Sequence, residues 1–378
     1  MTLQHWTLLD TKHGIYQETF DFSCGDVNIS KRRLHGGRSD GVDIVRIDNG
    51  KLAVFLLPTR GMGLWKVLCG DVELKWDSPA SGPVHPALVP VSDPGGLGWL
   101  EGFDEWLVRC GLESNGSPEF NADGSLRYPL HGRIANLPAH SLALSFEPET
   151  GKIMLTGKVL ESKLFFKKLE LTSTLAVTAG STEWTVQDTI TNLSSEPGEF
   201  ELLYHINTGQ PFAAPGSKVA VPFDLMTPRT RAAAENLPHW DTLCPEMPGS
   251  EEVVFFFEPA GNADGECQTM LTNPKGSRGL GLSFSVKEFP YFCFWKSRLA
   301  NTDGYVCGME PCVNFPNTKS FEKKHDRVVP LKPGESKTFG LRFDILTDTP
   351  SVQKREKEIS GIAGLRKIEP QPKKEWSE

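Results

Sequence analysis

Apolar and polar residues alternate in short stretches from one end of this chain to the other, and that two-residue period constrains the fold more than any other feature. A period of two puts successive side chains on opposite faces of a strand. DGVDIVRIDNGKLAVFLLPTRG (40–61) reads as two strands about a turn at Asp48, Asn49 and Gly50. GKIMLTGKVLE, FFKKLELTSTLAVTAGSTEWTVQDTITNLS, GEFELLYHINTG, EEVVFFFEP, GLGLSFSVKEFPYFCFWKS and SKTFGLRFDIL continue the pattern, with turn signals between several of them. This spacing predicts an all-β fold, a large antiparallel β-sandwich. No linker or fixed-period repeat divides it, so residues 1–350 are expected to form one domain. Residues 351–378 are different: SVQKREKEISGI predicts a short helix, and the polar tail EPQPKKEWSE is expected to be mobile.

Charge and cysteine content narrow the function classes. The net charge of −8 leaves no clustered Lys/Arg footprint for nucleic acid. The longest apolar runs, LAVFLL and VVFFF, are too short to span a bilayer. The start MTLQHWTLLDTKHG has no basic and apolar export pattern, so a soluble, cytoplasmic protein is expected, with neither membrane nor nucleic acid as partner. None of the eight cysteines forms a C-x-x-C pair, and reduced, buried thiols are the expectation. No phosphate-binding, dinucleotide-binding, zinc-hydrolase or serine-hydrolase motif occurs, and no cofactor or metal is expected.

Some segments break the alternation with polar residues where burial is predicted. PASGPVHPALVPVSDPGGLGWLEGFDEW (79–106) is too irregular for a strand and too apolar for a linker. It reads as a functional loop or as a cover over the core, and if functional, its aromatic part (95–106) borders the pocket. In LLPTRGMGLWKV, Arg60 follows an apolar strand; it reads as a bidentate donor or as one half of an internal salt bridge. YPLHGRIANLPAH carries His131, Arg133 and Asn136, a donor-rich loop suited to a polar ligand, although His131 alone also reads as structural. In EFELLYHINTGQPF, Phe200, Leu202, Tyr204 and Ile206 share one face, and His205 lies on the other near the strand's end. In YVCGMEPCVNFPN, Glu310 sits among apolar neighbours with Gly308 on its face, and Pro311 is expected to end the ladder. Such a carboxylate is either paired structurally or tuned for proton transfer.

These segments, in this order, resemble the aldose 1-epimerase (galactose mutarotase-like) superfamily. LHGRIANLPAH is similar to its HGFARN-type loop, TITNLSSEPGEFELLYHINTG to its histidine-bearing strand pair, and GMEPCVNFPN to its glutamate segment. GWLEGFDEWLVRCGLESNGSP resembles a less characterised branch. The similarity spans most of residues 40–345. It implies a β-supersandwich, no cofactor, and a monosaccharide substrate whose anomers are interconverted. It implies Glu310 as general base, His205 as general acid, and His131 and Arg60 as substrate-binding residues. Arg133, Asn136, Trp99, Trp106, Asp241 and Lys296 complete the expected substrate-binding set. Asp224 and Asp241 are the candidates for a hydroxyl-holding aspartate, and Trp99, Trp106, Trp240 or Trp295 for a ring stacked on the sugar. A sugar-binding protein without turnover and a glycosidase or lyase on the same sandwich are the alternatives. The glycosidase would need a second carboxylate, with Glu101, Asp104 and Glu113 as candidates.

Overall fold

The computed structural model describes residues 3–378. Two large sheets, one of ten strands and one of fourteen, face each other across the main core. Alternation builds the smaller sheet directly. In Lys152–Ser162, buried and half-buried residues alternate, and Ile153, Leu155 and Val159 point into the core. On its outer face Thr156 and Thr174 share a 2.9 Å hydrogen bond across the strands, and Lys158 donates to Glu170 at 3.0 Å. Among the described residues no helix is long and apolar enough to cross a membrane.

The larger sheet departs from simple alternation at its centre. Its neighbouring strands there are, in spatial order, Leu107–Leu112, Gly198–Gly209, Val306–Cys312, Tyr291–Ser297 and Val253–Pro259. Gly198–Gly209 and Val306–Cys312 carry the two residues of interest; they are called here the histidine strand and the glutamate strand. Both are buried on both faces. Phe200, Leu202, Tyr204 and Ile206 enter the core between the sheets, the face expected from the alternation. Leu203 belongs instead to a second apolar cluster on the outer face, with Trp76, Trp99, Phe103, Val254 and Phe315. The long loops of the first half fold over this outer face, so the sheet has a dry surface on each side.

Two expectations fail here. Pro311 does not end the ladder: Phe292 still pairs with Pro311 and Tyr291 with Cys312. Its missing donor is accommodated on the other side, where the ladder to the histidine strand is interrupted between Leu203–Cys312 and Ile206–Met309. The tail is not mobile either. After the helix Thr349–Gly361, capped by Asp348, residues Lys367–Ile368 pair in parallel with the edge strand Phe223–Pro228. Trp376 is buried against Phe315 at 4.9 Å, and its carbonyl accepts from Asn317 Nδ2 at 2.8 Å. One apolar ring in a polar segment anchors it, because burying a tryptophan outweighs the solvation of its neighbours. All eight cysteines are free thiols, six of them buried, with Cys24 exposed and Cys244 partly buried.

Candidate active site

The interrupted ladder makes the site. Leu203 pairs with Cys312 and Ile206 with Met309, a constant register that sets His205 opposite Glu310 on the outer face. Their side chains meet: His205 Nε2 lies 3.2 Å from Glu310 Oε1, with both residues almost fully buried. Gly308 provides the room. A Cβ there would come 2.4 Å from Glu310 Oε1 and 3.1 Å from His205 Cε1.

The tautomer of His205 follows from its neighbours. Asn207 Nδ2 donates to the carbonyls of Glu105, at 3.0 Å, and His205, at 3.2 Å. Its Oδ1 is therefore the acceptor, and His205 Nδ1 donates to it. Nε2 is left to exchange a proton with Glu310. Burial drives both groups toward their neutral forms. It raises the Glu310 carboxyl well above the usual range, helped by the charge of Glu252 and opposed by that of Arg229. It lowers the His205 imidazole to about 3, with His131 adding to the shift and Asn207 opposing it. The pair thus holds one mobile proton between two groups, and Glu310 Oε1 has no well-directed hydrogen bond.

A pocket of about 330 Å³ opens above this pair. His131 lines it, partly buried, with left-handed backbone at φ 55°, which residues bearing a side chain rarely adopt. Its Nδ1 donates to the Asn115 carbonyl at 2.7 Å, so Nε2 stays open, and burial lowers its pKa to about 4. Behind it, Glu201 accepts from Asn115 N at 2.9 Å and from Asn314 Nδ2 at 3.0 Å. Trp99, Phe103 and Trp295 wall the pocket. The Phe103 and Trp295 rings lie 5.0 and 5.2 Å from the His205 ring. At the mouth, Arg229 contacts Glu252 at 3.3 Å and Ser117 Oγ at 3.3 Å, and Trp295 Nε1 donates to Glu252 at 2.8 Å.

Of the residues singled out in the sequence, His131, His205, Glu310, Trp99 and Trp295 line this pocket, and Leu97, Leu100 and Phe103 bring the 95–106 loop to it. The others lie elsewhere, each for a local reason. Arg60 is fully buried, and its guanidinium is spent on Glu105, the Val84 and Gly102 carbonyls and Asn136 Oδ1. Asn136 is thereby a partner of Arg60 and does not face the pocket. Trp106 points into the core between the sheets, against Trp184 and Phe343. Arg133 turns outward to Ser92. Lys296 follows Trp295 on one strand and must face the opposite side, where Asn236 and the carbonyls of His239, Trp240 and Thr242 receive its ammonium. Asp241 accepts from Thr242, and Asp224 from the Leu365 amide. Trp240 packs on Phe223 and Phe257. Glu101, Asp104 and Glu113 do not line the pocket either; Asp104 accepts from Trp65 and Glu113 pairs with Lys167. Arg229 and Glu252 also line the pocket and carry no signal in the sequence, because they flank strands in segments with no unusual pattern. Among the described residues no group of three His, Cys, Asp or Glu side chains converges as a metal site requires.

The comparisons agree with this architecture. A candidate aldose 1-epimerase from Klebsiella pneumoniae subsp. pneumoniae is 30% identical, with a TM-score of 0.93 over 97% of each chain. A galactose mutarotase-like protein from Clostridium acetobutylicum shares the fold at 14% identity and a TM-score of 0.57, covering 85% of this chain and 99% of its own. A candidate aldose 1-epimerase from Escherichia coli K12 does so at 14% identity and a TM-score of 0.51, covering 81% and 99%. The fold is therefore the galactose mutarotase-like sandwich. The chain belongs to a family described only as a domain of unknown function (DUF4432), whose model matches residues 39–345. No curated protein matches it.

Proposed function

We propose that this protein is a cofactor-independent isomerase that interconverts the α and β anomers of a monosaccharide. The observation that carries the reading is the buried His205–Glu310 pair at 3.2 Å, holding one mobile proton at the floor of a small, ring-walled pocket. In its charge-separated form, Glu310 carboxylate takes the proton of the anomeric O1 while His205 Nε2–H protonates the ring oxygen. The C1–O5 bond breaks as the C1=O1 bond forms. After rotation about C1–C2, the ring oxygen attacks the other face of C1, returns its proton to Nε2, and Glu310 returns its proton to O1. Both groups are regenerated. Each proton transfer contributes on the order of 10²–10⁴-fold. The Asn207 contact keeps Nε2 as the exchanging nitrogen throughout.

The pocket volume, at the low end of ligand pockets of roughly 300–1,000 Å³, suits one sugar ring better than a chain. Trp99, Phe103 and Trp295 offer faces for the sugar's C–H surface. His131 Nε2 and the Arg229–Glu252 pair at the mouth are the groups left to meet its hydroxyls.

The test is polarimetry or NMR exchange on freshly dissolved single anomers of several aldoses, against the buffer rate. Acceleration by the wild type and a loss on the order of 10²–10⁴-fold in Glu310→Gln is the expected result, since Gln keeps the shape and removes the basic oxygen. A Glu310→Gln protein as fast as wild type would make Glu310 a structural carboxylate.

A further inference from the structure

Resting on the anomer-exchange reading, we propose that the substrate class is an uncharged, hydroxyl-poor aldose, a 6-deoxyhexose above all, and not a sugar phosphate or a uronic acid. The argument is an imbalance between what an aldohexose presents and what the pocket offers. Leu97, Leu100, Phe103, Leu130 and Val254 supply apolar lining. Leu97 is 50% exposed and Leu100 48%, although both belong to an ordered loop at the pocket. They present apolar surface at the place a ligand would cover.

The polar groups are few, and most are engaged. Once the anomeric O1 and the ring oxygen meet Glu310 and His205, the groups left are His131 Nε2 inside and the Arg229–Glu252 pair at the mouth. The Trp99 indole N–H has no partner but is itself shielded from solvent. Trp295 Nε1 is held by Glu252, and Ser117 Oγ accepts from Arg229 while donating to the Pro316 carbonyl at 3.3 Å. A full aldohexose brings four further hydroxyls, and each one buried without a partner carries a desolvation penalty. Replacing one by hydrogen removes that penalty and sets a methyl or methylene against leucine, which favours binding.

Charge argues in the same direction. Among the described residues, Arg229 is the one Arg or Lys lining the pocket, and it is paired with Glu252 at 3.3 Å. Arg60 is buried, has an acceptor at every nitrogen and does not line the pocket. A phosphate or carboxylate on the sugar would therefore meet an arginine already paired with a carboxylate and would lie near Glu252. Recognition of such anions is favoured by a charged donor not already shared with a carboxylate.

The test pairs two readouts on the full chain. Exchange is followed by NMR for 6-deoxy-D-glucose, L-fucose and L-rhamnose, their parent hexoses, glucose 6-phosphate and glucuronate. Binding of the same sugars to Glu310→Gln is followed by the fluorescence of the pocket tryptophans. At least one deoxy sugar should bind and exchange about ten-fold better than its parent hexose, with no acceleration for the charged sugars. Leu100→Ser should narrow that ratio. Equal or better binding of the parent hexoses, or preference for a charged sugar, would overturn the proposal. Selective binding of a deoxy sugar with no exchange in the wild type would support the substrate class and overturn the isomerase reading.

Discussion

Two buried acid–base pairs stand side by side in this molecule and are built to opposite ends. Asn207 joins them, donating to the Glu105 carbonyl through Nδ2 and accepting from His205 through Oδ1. In the Arg60–Glu105 pair every nitrogen of the guanidinium has an acceptor, from a carboxylate, an amide or a carbonyl. That is a strut: it ties the 79–106 loop to the sheet and lies buried away from the pocket. In the His205–Glu310 pair the imidazole is pinned at one nitrogen only, the carboxyl oxygen facing it has no well-directed hydrogen bond, and open space lies above. Burial alone does not separate structure from chemistry. What distinguishes the two pairs is whether their polar atoms are satisfied.

Mutating the two pairs should give the largest contrast. Glu310→Gln is expected to lose on the order of 10²–10⁴ in rate, about 3–5 kcal/mol of transition-state stabilisation, with an unchanged or slightly raised melting temperature. The stability half follows because an isosteric neutral side chain replaces a carboxyl that burial already keeps from ionising. Arg60→Met should do the reverse. Leaving Glu105 buried and unpaired costs about 3–5 kcal/mol of stability, read by denaturant unfolding, and whatever folds should keep the exchange rate per active molecule. If both variants lost stability and activity together, the two pairs would be one structural unit and the contrast would collapse.

The next effect is in pH, and the sign can be worked out. His205 and His131 fold with pKa values lowered to about 3 and about 4, against 6.5 in the unfolded chain. Between pH 6.5 and 4 the unfolded state binds more protons, so their contribution to stability is complete above 6.5 and is lost as pH falls. Glu201 behaves oppositely. Burial raises its pKa to about 8, so its neutral form favours folding below 4.5 and that contribution is lost as pH rises through 8. Unfolding midpoints in urea from pH 7 to 4 sum these opposing contributions, and His131→Gln should remove one histidine's share, so that its midpoint loses less, or gains more, than the wild type's as pH falls. A slope unchanged in His131→Gln would mean that this ring is charged in the folded state. The rate of anomer exchange should show no limb at pH 6.5, since the paired groups keep one proton across the neutral range.

The sandwich was legible in the sequence because its signal is repeated in nearly every strand; the two faces of Gly198–Gly209 fall as alternation predicts. Glu310 stands out as a lone carboxylate in an apolar strand, whereas His205 shares its face with Glu199, Glu201 and Asn207 and is singled out by the resemblance. The residues misplaced in sequence share another property: each is a polar or aromatic side chain whose partner lies far away in the chain. Arg60 meets Glu105 and Asn136, and Lys296 meets carbonyls near residue 240. No local pattern reports whether a donor will be used up by such a partner. Arg229 and Glu252 were invisible for the converse reason. Nothing beside them in sequence marks a mouth that only the packing of distant loops creates. The tail's average polarity predicts mobility, but one ring, Trp376, decides its position.

The smallest contrast lies between two tryptophans seven residues apart, both equally buried, with the same expected role in the sequence and different roles in the fold. Trp106 donates to Thr208 Oγ1 at 3.2 Å and packs 5.8 Å from Trp184 and 5.3 Å from Phe343, inside the sandwich. Trp99 packs 4.6 Å from Phe103 and 4.7 Å from His131 at the pocket, and its indole N–H has no partner. Phenylalanine keeps an aromatic ring at either position and removes the N–H. At 106 it also leaves a void and an unpaired threonine hydroxyl, so Trp106→Phe should cost about 1–3 kcal/mol of stability with sugar affinity unchanged. At 99 the same ring volume is lost from a buried cluster but no protein hydrogen bond, so the melting temperature should fall less than in Trp106→Phe. If the indole N–H serves a sugar hydroxyl, Trp99→Phe loses one ordinary hydrogen bond in the complex, about 0.5–1.5 kcal/mol, a two- to twelve-fold rise in Kd by titration calorimetry. A Trp99→Phe protein that binds sugar as tightly as wild type but melts lower would assign this ring to the loop's packing and take it out of ligand recognition.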